Sequence, residues 1–400
     1  MVSPRRCLGI LRMWGKRSLI TQSKVILFVV NAPEFFLSHR LPLAVAAQKA
    51  GFVVHVAAAD GPDLKSIQSL GFTHHVVPFA RSGQNPLNEL RTLLQLVRLF
   101  RRVKPSLVHL ITIKPVLYGG IAARLAGIES VVCAVSGLGT VFLADSIPAR
   151  VRRWVVTRLY QSAFKQNRLA VIFQNPDDRD TLLSIGALKP DQVRMIRGSG
   201  VALEDYPFVT EPVGKPVVVM AARLLKDKGV FEFVEAARLL KHRGINAELR
   251  LIGSPDPGNP SSIAQLEFER WSSESDVNLL GYRNDIAAQY ADSNIVCLPS
   301  YREGLPKSLV EAAACGRAVI TTDVPGCRDA ITPDVTGILV PAKDSSALAD
   351  AIQYLIENPQ MRIKMGESGR KLAESAFAIE SIVEQHMDIY QELLANASEK

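Results

Sequence analysis

At 400 residues the chain is long for a single core, and 48% hydrophobic with 22% charged residues is ordinary globular usage. That excludes a disordered tract, a collagen and a mucin-like stalk, and sets a prior of two to three domains of roughly 150 residues. Residues 1–205 hold 27 Lys and Arg against 12 Asp and Glu, whereas 206–400 hold 20 against 27, so the +8 total divides as +15 and −7. The first half is thus suited to an anionic partner: a phosphorylated substrate or an anionic membrane rather than nucleic acid, since no RNP-like string, zinc finger or basic zipper is present. The five cysteines, Cys7, Cys133, Cys297, Cys315 and Cys327, form no CxxC pair. This rules out a disulfide scaffold and a zinc site of standard spacing, and points to a reducing compartment.

The first 23 residues carry Arg5, Arg6, Arg12, Lys16 and Arg17 and no acid, the composition of a basic leader expected to be disordered. No run of about 18 uncharged apolar residues predicts a transmembrane helix. From Lys24 buried-strand patterns alternate with helical ones. Strands are expected at 24–30, 52–60, 74–79, 106–112 and 130–136, with helices at about 87–103 and 116–126 between the later ones. Two prolines and a glycine at 206–215 read as a linker. Alternation resumes with strands at 216–222, 247–253, 277–281, 294–300, 317–323 and 337–341. The expected domains are 24–205, 216–375, and a C-terminal helix, 376–400, crossing back to the first. The fold class is α/β: two Rossmann-like doubly wound parallel sheets facing a central cleft.

Two strings carry the chemistry. In Pro299–Gly316 a strand ends in a loop with Glu303 and Gly304, and a helix follows with Glu311 in its second turn. Backbone N–H groups of Gly304 and Leu305 suit phosphate oxygens, and the two carboxylates suit sugar hydroxyls on either side of a diphosphate. In Met220–Ala237 a strand runs into Arg223 and Lys228, cations for the same diphosphate. Read alone, each string is also explained by solvated loop and helix charges.

Together they resemble the retaining glycosyltransferases of family 4, which pair an Arg-x4-Lys with a Glu-x7-Glu; the likeness runs through Gly281–Ile331 and Asp334–Ile352 and covers roughly 24–395. The resemblance implies a GT-B fold and transfer from a UDP-sugar with no metal or other cofactor. Arg223 and Lys228 would neutralise the diphosphate, Glu303 would contact the transferred sugar, and Glu311 the ribose. The base would lie near Gly253, Tyr282 and Arg283. Gly198–Val201 resembles the family's Asn-Gly-Val-Asp turn, with Ser199 and Ala202 replacing Asn and Asp.

The strings NAPEFFLSHRLPLA, LVHLITIKPVLYG and VSGLGTVF are similar to bacterial transferases that add a hexosamine to undecaprenyl diphosphate-linked sugars. They suggest His109, near its strand's end, as a group approaching the donor sugar. Acceptor-side candidates are Asn31, Glu34, His39, Arg40, Lys114, Gly137, Gly139 and Thr140. The implied partners are a nucleotide sugar, a polyprenyl-diphosphate-linked saccharide and an anionic membrane surface. Basic segments at 87–104 and 147–168, the latter counting Arg152, Arg153, Lys165 and Arg168, suit peripheral contact at the inner face of the cell membrane. The alternatives are a soluble acceptor, or a nucleotide-binding regulatory module without turnover. Asp178-Arg179-Asp180 reads as helix capping rather than a metal site, and His74-His75 as strand neighbours pointing to opposite faces.

Overall fold

The computed structural model describes residues 24–395, apart from Pro62, 80–84, 140–146 and Ser275. The basic leader and the candidate Thr140 lie outside the described residues. The chain forms two compact units, one running to Ser199 and resuming at Ile379, the other Gly200–Ala378.

The first unit is a seven-stranded sheet. Its strands are β1 (Val25–Val29), β2 (Val53–Ala58), β3 (Thr73–Val76), β4 (Leu107–Ile111), β5 (Ser130–Val135), β6 (Arg168–Phe173) and β7 (Val193–Met195), in the order β3-β2-β1-β4-β5-β6-β7. All pairs are parallel, with Phe28 opposite His109 and His109 opposite Val132. The central strands are buried and mostly apolar because helices cover both faces. β6 and β7 went unread in the sequence: RLAVIF opens on a charge at the foot of a basic helix.

The steps β3→β4→β5→β6 all run the same way along the sheet. Right-handed crossovers therefore put helices Pro86–Val103, Gly120–Ala126 and Ile147–Ala163 on one face. The C-terminal helix, Ile379–Ala395, packs on this unit, and Ser130 Oγ donates to its Leu393 carbonyl at 3.2 Å.

The second sheet comprises β8 (Val217–Ala221), β9 (Glu248–Ile252), β10 (Asn278–Gly281), β11 (Ile295–Leu298), β12 (Ala318–Thr322) and β13 (Gly337–Val340), ordered β10-β9-β8-β11-β12-β13 and parallel throughout. Its core is one cluster from Val201 to Phe377. The stretch 206–215 is no loose linker. Val209 O accepts from Arg317 at 2.9 Å, and Glu211 pairs with buried Arg362 at 2.9 Å, so polar anchors fix what its prolines and glycine kept out of regular structure.

Each sheet reverses strand order once, between β1 and β4 and between β8 and β11. In doubly wound sheets ligands sit beyond the strand ends at such points.

Candidate active site

In the second unit the loops after β8 and β11 flank the reversal. β8 leads through Arg223 to a 3-10 turn, Lys226–Lys228, then Gly229 with φ +75°. A Cβ on Gly229 would meet the Pro299 carbonyl at 2.0 Å, so only glycine lets the two loops touch. The contact brings Lys228 Nζ onto Glu303 Oε1 as an ion pair with little solvent exposure on either side. Ser300 Oγ lies 2.7 Å from the same carboxylate oxygen and 3.0 Å from the Asp227 carbonyl. Arg223 reaches Asp256 at 3.2 Å and stays 62% exposed. One expected cation and one expected carboxylate thus meet, while Arg223, on the loop after the same strand, is held by Asp256.

The Pro306 N-cap starts helix Lys307–Ala314 with no side-chain cap among the described residues, and places Glu311 one turn in. Its N-terminal N–H groups carry the positive end of the helix dipole. Glu311 is 8% exposed and accepts from Tyr206 Oη at 2.6 Å, with Lys307 Nζ at 3.4 Å. Burial first, then the Glu311 carboxylate, raises the Tyr206 phenol well above its usual pKa, so it remains a donor. Leu305 is buried beside Gly304.

Gly253 ends β9 with φ +144°, its N–H on the Gly281 carbonyl at 2.8 Å. A Cβ there would sit 1.9 Å from the Ala222 carbonyl, so a side chain would push the strand ends apart. Tyr282 is 81% exposed, and Arg283 is held bidentately by Asp285 at 2.8 and 2.6 Å. These two side chains do not join the Lys228–Glu303 pair.

In the first unit, Asn31, Thr112 and Ser136 follow the adjacent strands β1, β4 and β5. Each buries a side-chain oxygen without a partner: Asn31 Oδ1, Thr112 Oγ1 and Ser136 Oγ. Glu34 and His39 lie on the short helix Pro33–His39, where Phe35 stacks on His39 at 4.1 Å. Lys114 pairs with Glu89 at 2.7 Å, so its charge is spent inside the unit. Gly137 and Gly139 have φ of +114° and +60°.

His109 lies mid-strand in β4, two residues from the end, with no exposure. Its Nδ1 is 2.5 Å from Tyr390 Oη, and its ring stacks on His386 at 5.8 Å. Burial first, then the charges of His386 and Arg40, holds it well below its ordinary pKa. Its ring is held by the C-terminal helix, and its Nε2 is buried without a partner. Arg40 is likewise 2% exposed, and burial lowers its pKa to about 10.

Residues 204–372 match the family described as Glycosyl transferases group 1, and residues 25–175 match Glycosyl transferase 4-like. The chain belongs to the family 4-like glycosyltransferases. It is 29% identical over 384 residues, 90% of this chain and 99% of the relative, to a Campylobacter jejuni N,N'-diacetylbacillosaminyl-diphospho-undecaprenol alpha-1,3-N-acetylgalactosaminyltransferase. It is 26% identical over 391 residues, 96% of this chain and 98% of the relative, to the capsular polysaccharide biosynthesis glycosyltransferase CapM of Staphylococcus aureus. In fold it matches Anabaena HepE, crystallised in complex with UDP, with a TM-score of 0.73 at 19% identity over 92% of this chain and all of that one. The fold is GT-B.

Within this glycosyltransferase, sequence reasoning missed Asp256, Tyr206 and Ser300. Only Ser300 carried a signal, as the strand-end hydroxyl of PSYREG. Asp178 and its Asn175 N-cap bond each other at the start of helix Pro176–Ser184, as capping predicts. No group of three or more metal-ligating side chains occurs among the described residues. Arg168 heads β6 and pairs with Glu129, and so leaves the basic surface on which the sequence had placed it.

Proposed function

We propose that the chain moves a hexose or N-acetylhexosamine from a UDP-sugar to a polyprenyl-diphosphate-linked saccharide, with retention at the anomeric carbon. The observation that carries this is the meeting of Lys228 and Glu303 at the reversal point of the second sheet. The named activity of the Campylobacter relative supports the acceptor class, and the UDP bound by HepE supports the nucleotide.

Arg223 and Lys228 take up the charge that develops on the departing diphosphate, and the N–H end of helix Lys307–Ala314 adds to it. A poorly hydrated contact such as that of Lys228 is worth on the order of 3 kcal/mol of barrier. Glu303 orients the transferred sugar while Lys228 and Ser300 hold its carboxylate. Glu311 binds the ribose, and backbone near Gly253 and Tyr282–Arg283 receives the base. The anomeric carbon loses its bond to the phosphate oxygen and gains one to the acceptor oxygen on the same face. The acceptor's proton passes to the leaving phosphate oxygen, and UDP departs. Because protein cations carry the diphosphate charge, turnover should survive EDTA.

The acceptor saccharide is assigned to the first unit, where Asn31, Thr112 and Ser136 offer buried oxygens to sugar hydroxyls. The lipid carrier is assigned to a membrane surface beside it. No helix among the described residues is long and apolar enough to cross a membrane. The one-sided helix layer instead exposes Leu87, Leu90 and Leu94 on one helix, and Val151, Trp154 and Val155 on another. Both triplets have same-face spacing. Exposed Arg91, Arg98, Arg101, Arg102, Arg150 and Arg158 surround them. Each cation near an anionic leaflet adds about 1 kcal/mol, so binding should be peripheral and salt-sensitive at the inner face of the cell membrane.

A panel of labelled UDP-sugars with membrane-extracted lipid acceptors, read for product and for anomeric configuration, tests the reaction. An α-linked product on the lipid fraction is expected; transfer only to water-soluble saccharides would overturn the acceptor. Leu90→Glu with Trp154→Glu should abolish pelleting with anionic liposomes while donor hydrolysis continues. Normal pelleting by that variant would remove the membrane surface.

A further inference from the structure

Tyr206 has no role in the reaction as described, yet its hydroxyl meets the Glu311 carboxylate at 2.6 Å. It lies in the segment just after the strand-like bridge between Val201 and Ala378. Two bonds fix its backbone there: its carbonyl accepts from Arg370 Nη1 at 2.9 Å, and the same Arg370 nitrogen reaches the Ala314 carbonyl at the end of the Glu311 helix at 2.7 Å. Tyr206 is thus tied to that helix at two points, through its ring hydroxyl to Glu311 and, by way of Arg370, through its carbonyl to Ala314. A glutamate one turn into a helix has three rotatable side-chain bonds. Lys307, the other contact on the same oxygen, is longer, at 3.4 Å, and half-exposed on a flexible stem.

We infer that Tyr206 is a positioning residue that fixes the Glu311 carboxylate through Oε1 and leaves Oε2 directed to the nucleotide ribose. This rests on the reading of Glu311 as the ribose ligand. The physical reason is preorganisation: a carboxylate already held by one charge-assisted bond loses less freedom when a hydroxyl binds its other oxygen. The hydroxyl is absent from phenylalanine, which otherwise fills the same space, so Tyr206→Phe removes the bond and little else.

The test compares binding of UDP and of 2′,3′-dideoxy-UDP by calorimetry to wild type, Tyr206→Phe and Glu311→Ala, with melting temperatures as the check on folding. Tyr206→Phe should weaken UDP about tenfold, the lower end of what a hydrogen bond to a charged group supplies. It should leave dideoxy-UDP binding unchanged, since that ligand has no hydroxyl for Glu311 to accept. In turnover, KM for the UDP-sugar should rise while kcat holds, because the bond lies away from the reacting atoms. Equal weakening of both ligands would mean that Tyr206 only supports the local fold, and would overturn the inference. Weakened UDP binding in Glu311→Ala with wild-type binding in Tyr206→Phe would overturn it while leaving the ribose assignment standing. Wild-type UDP binding in Glu311→Ala would remove the ribose assignment itself, and the inference with it.

Discussion

In the second unit Arg223, Lys228 and Glu311 each end on another side chain of the same unit: Asp256, Glu303 and Tyr206. In the first unit Asn31 Oδ1, Thr112 Oγ1 and Ser136 Oγ are buried at neighbouring strand ends and end on nothing. Both sets follow the carboxyl ends of strands beside a reversal of order, Glu311 on the helix after β11, so the difference is one of chemistry rather than topology. Charges that must meet a diphosphate can be held ready by opposite charges, which a ligand then displaces or shares. Neutral hydroxyl and amide oxygens cannot be held that way, and left buried each costs on the order of 1–3 kcal/mol. On the proposed reading, acceptor hydroxyls remove that cost, so the first unit gains more order on binding than the second.

The largest effect should come from breaking the paired set. Lys228→Ala leaves Glu303 without its cation in a poorly hydrated site, and should lower kcat by a hundredfold or more, about 3 kcal/mol. Arg223→Ala removes a 62% exposed group, so its loss should be smaller, with the defect concentrated in donor binding. Initial rates with UDP-sugar at saturating acceptor measure both. Equal, near-wild-type rates would mean that neither cation meets the diphosphate.

A second difference between the units is acid sensitivity. The first unit buries His109 and His386 completely, whereas the second contains only His242. Burial, then the Arg40 charge, lowers His386 to about 3. Below its ordinary value near 6.5 the unfolded chain takes up a proton that the folded one refuses. Stability from this group is therefore complete above about pH 6.5 and is lost as pH falls toward 3, at about 1.4 kcal/mol per pH unit. His386→Gln, which cannot titrate, should lose about 2 kcal/mol less than wild type between pH 7 and pH 5. Urea unfolding at the two pH values checks this; parallel losses in both proteins would place the acid-labile group elsewhere.

How much of this was legible beforehand follows from where the signal lies along the chain. Strands buried on both faces announce themselves as Val and Ile runs, which is why β1, β2, β4, β5 and β8 to β13 could be read directly. The paired carboxylates and cations sit within short strings, so their spacing was visible. Tyr206 and Glu311 are 105 residues apart, and Arg223 and Asp256 are 33 apart. No local pattern encodes such pairs; folding alone brings them together. The same holds for His109: its strand position was clear, but its contact with Tyr390 lies 281 residues later.

The smallest effect concerns strain in the unpartnered set. Four non-glycine residues among those described have positive φ: Lys104, Thr112, Asp334 and Lys343. Lys104 caps a helix end, and Asp334 and Lys343 lie in turns. Thr112, at φ +73°, alone is β-branched, and it sits where β4 meets the reversal of strand order. A branched side chain in this region opposes the backbone by roughly 1–2 kcal/mol, and asparagine is among the few residues that tolerate it. Thr112→Asn should therefore stabilise the protein by about 1 kcal/mol, the usual yield of relieving such a site. The same change replaces the buried hydroxyl with a longer amide at the point assigned to the acceptor. KM for the lipid-linked saccharide should rise severalfold while UDP-sugar hydrolysis is untouched. A gain in stability with unchanged acceptor KM would mean that Thr112 is strained for reasons unconnected with the saccharide. A loss of stability would mean that the hydroxyl, rather than the acceptor, is what the fold needs there.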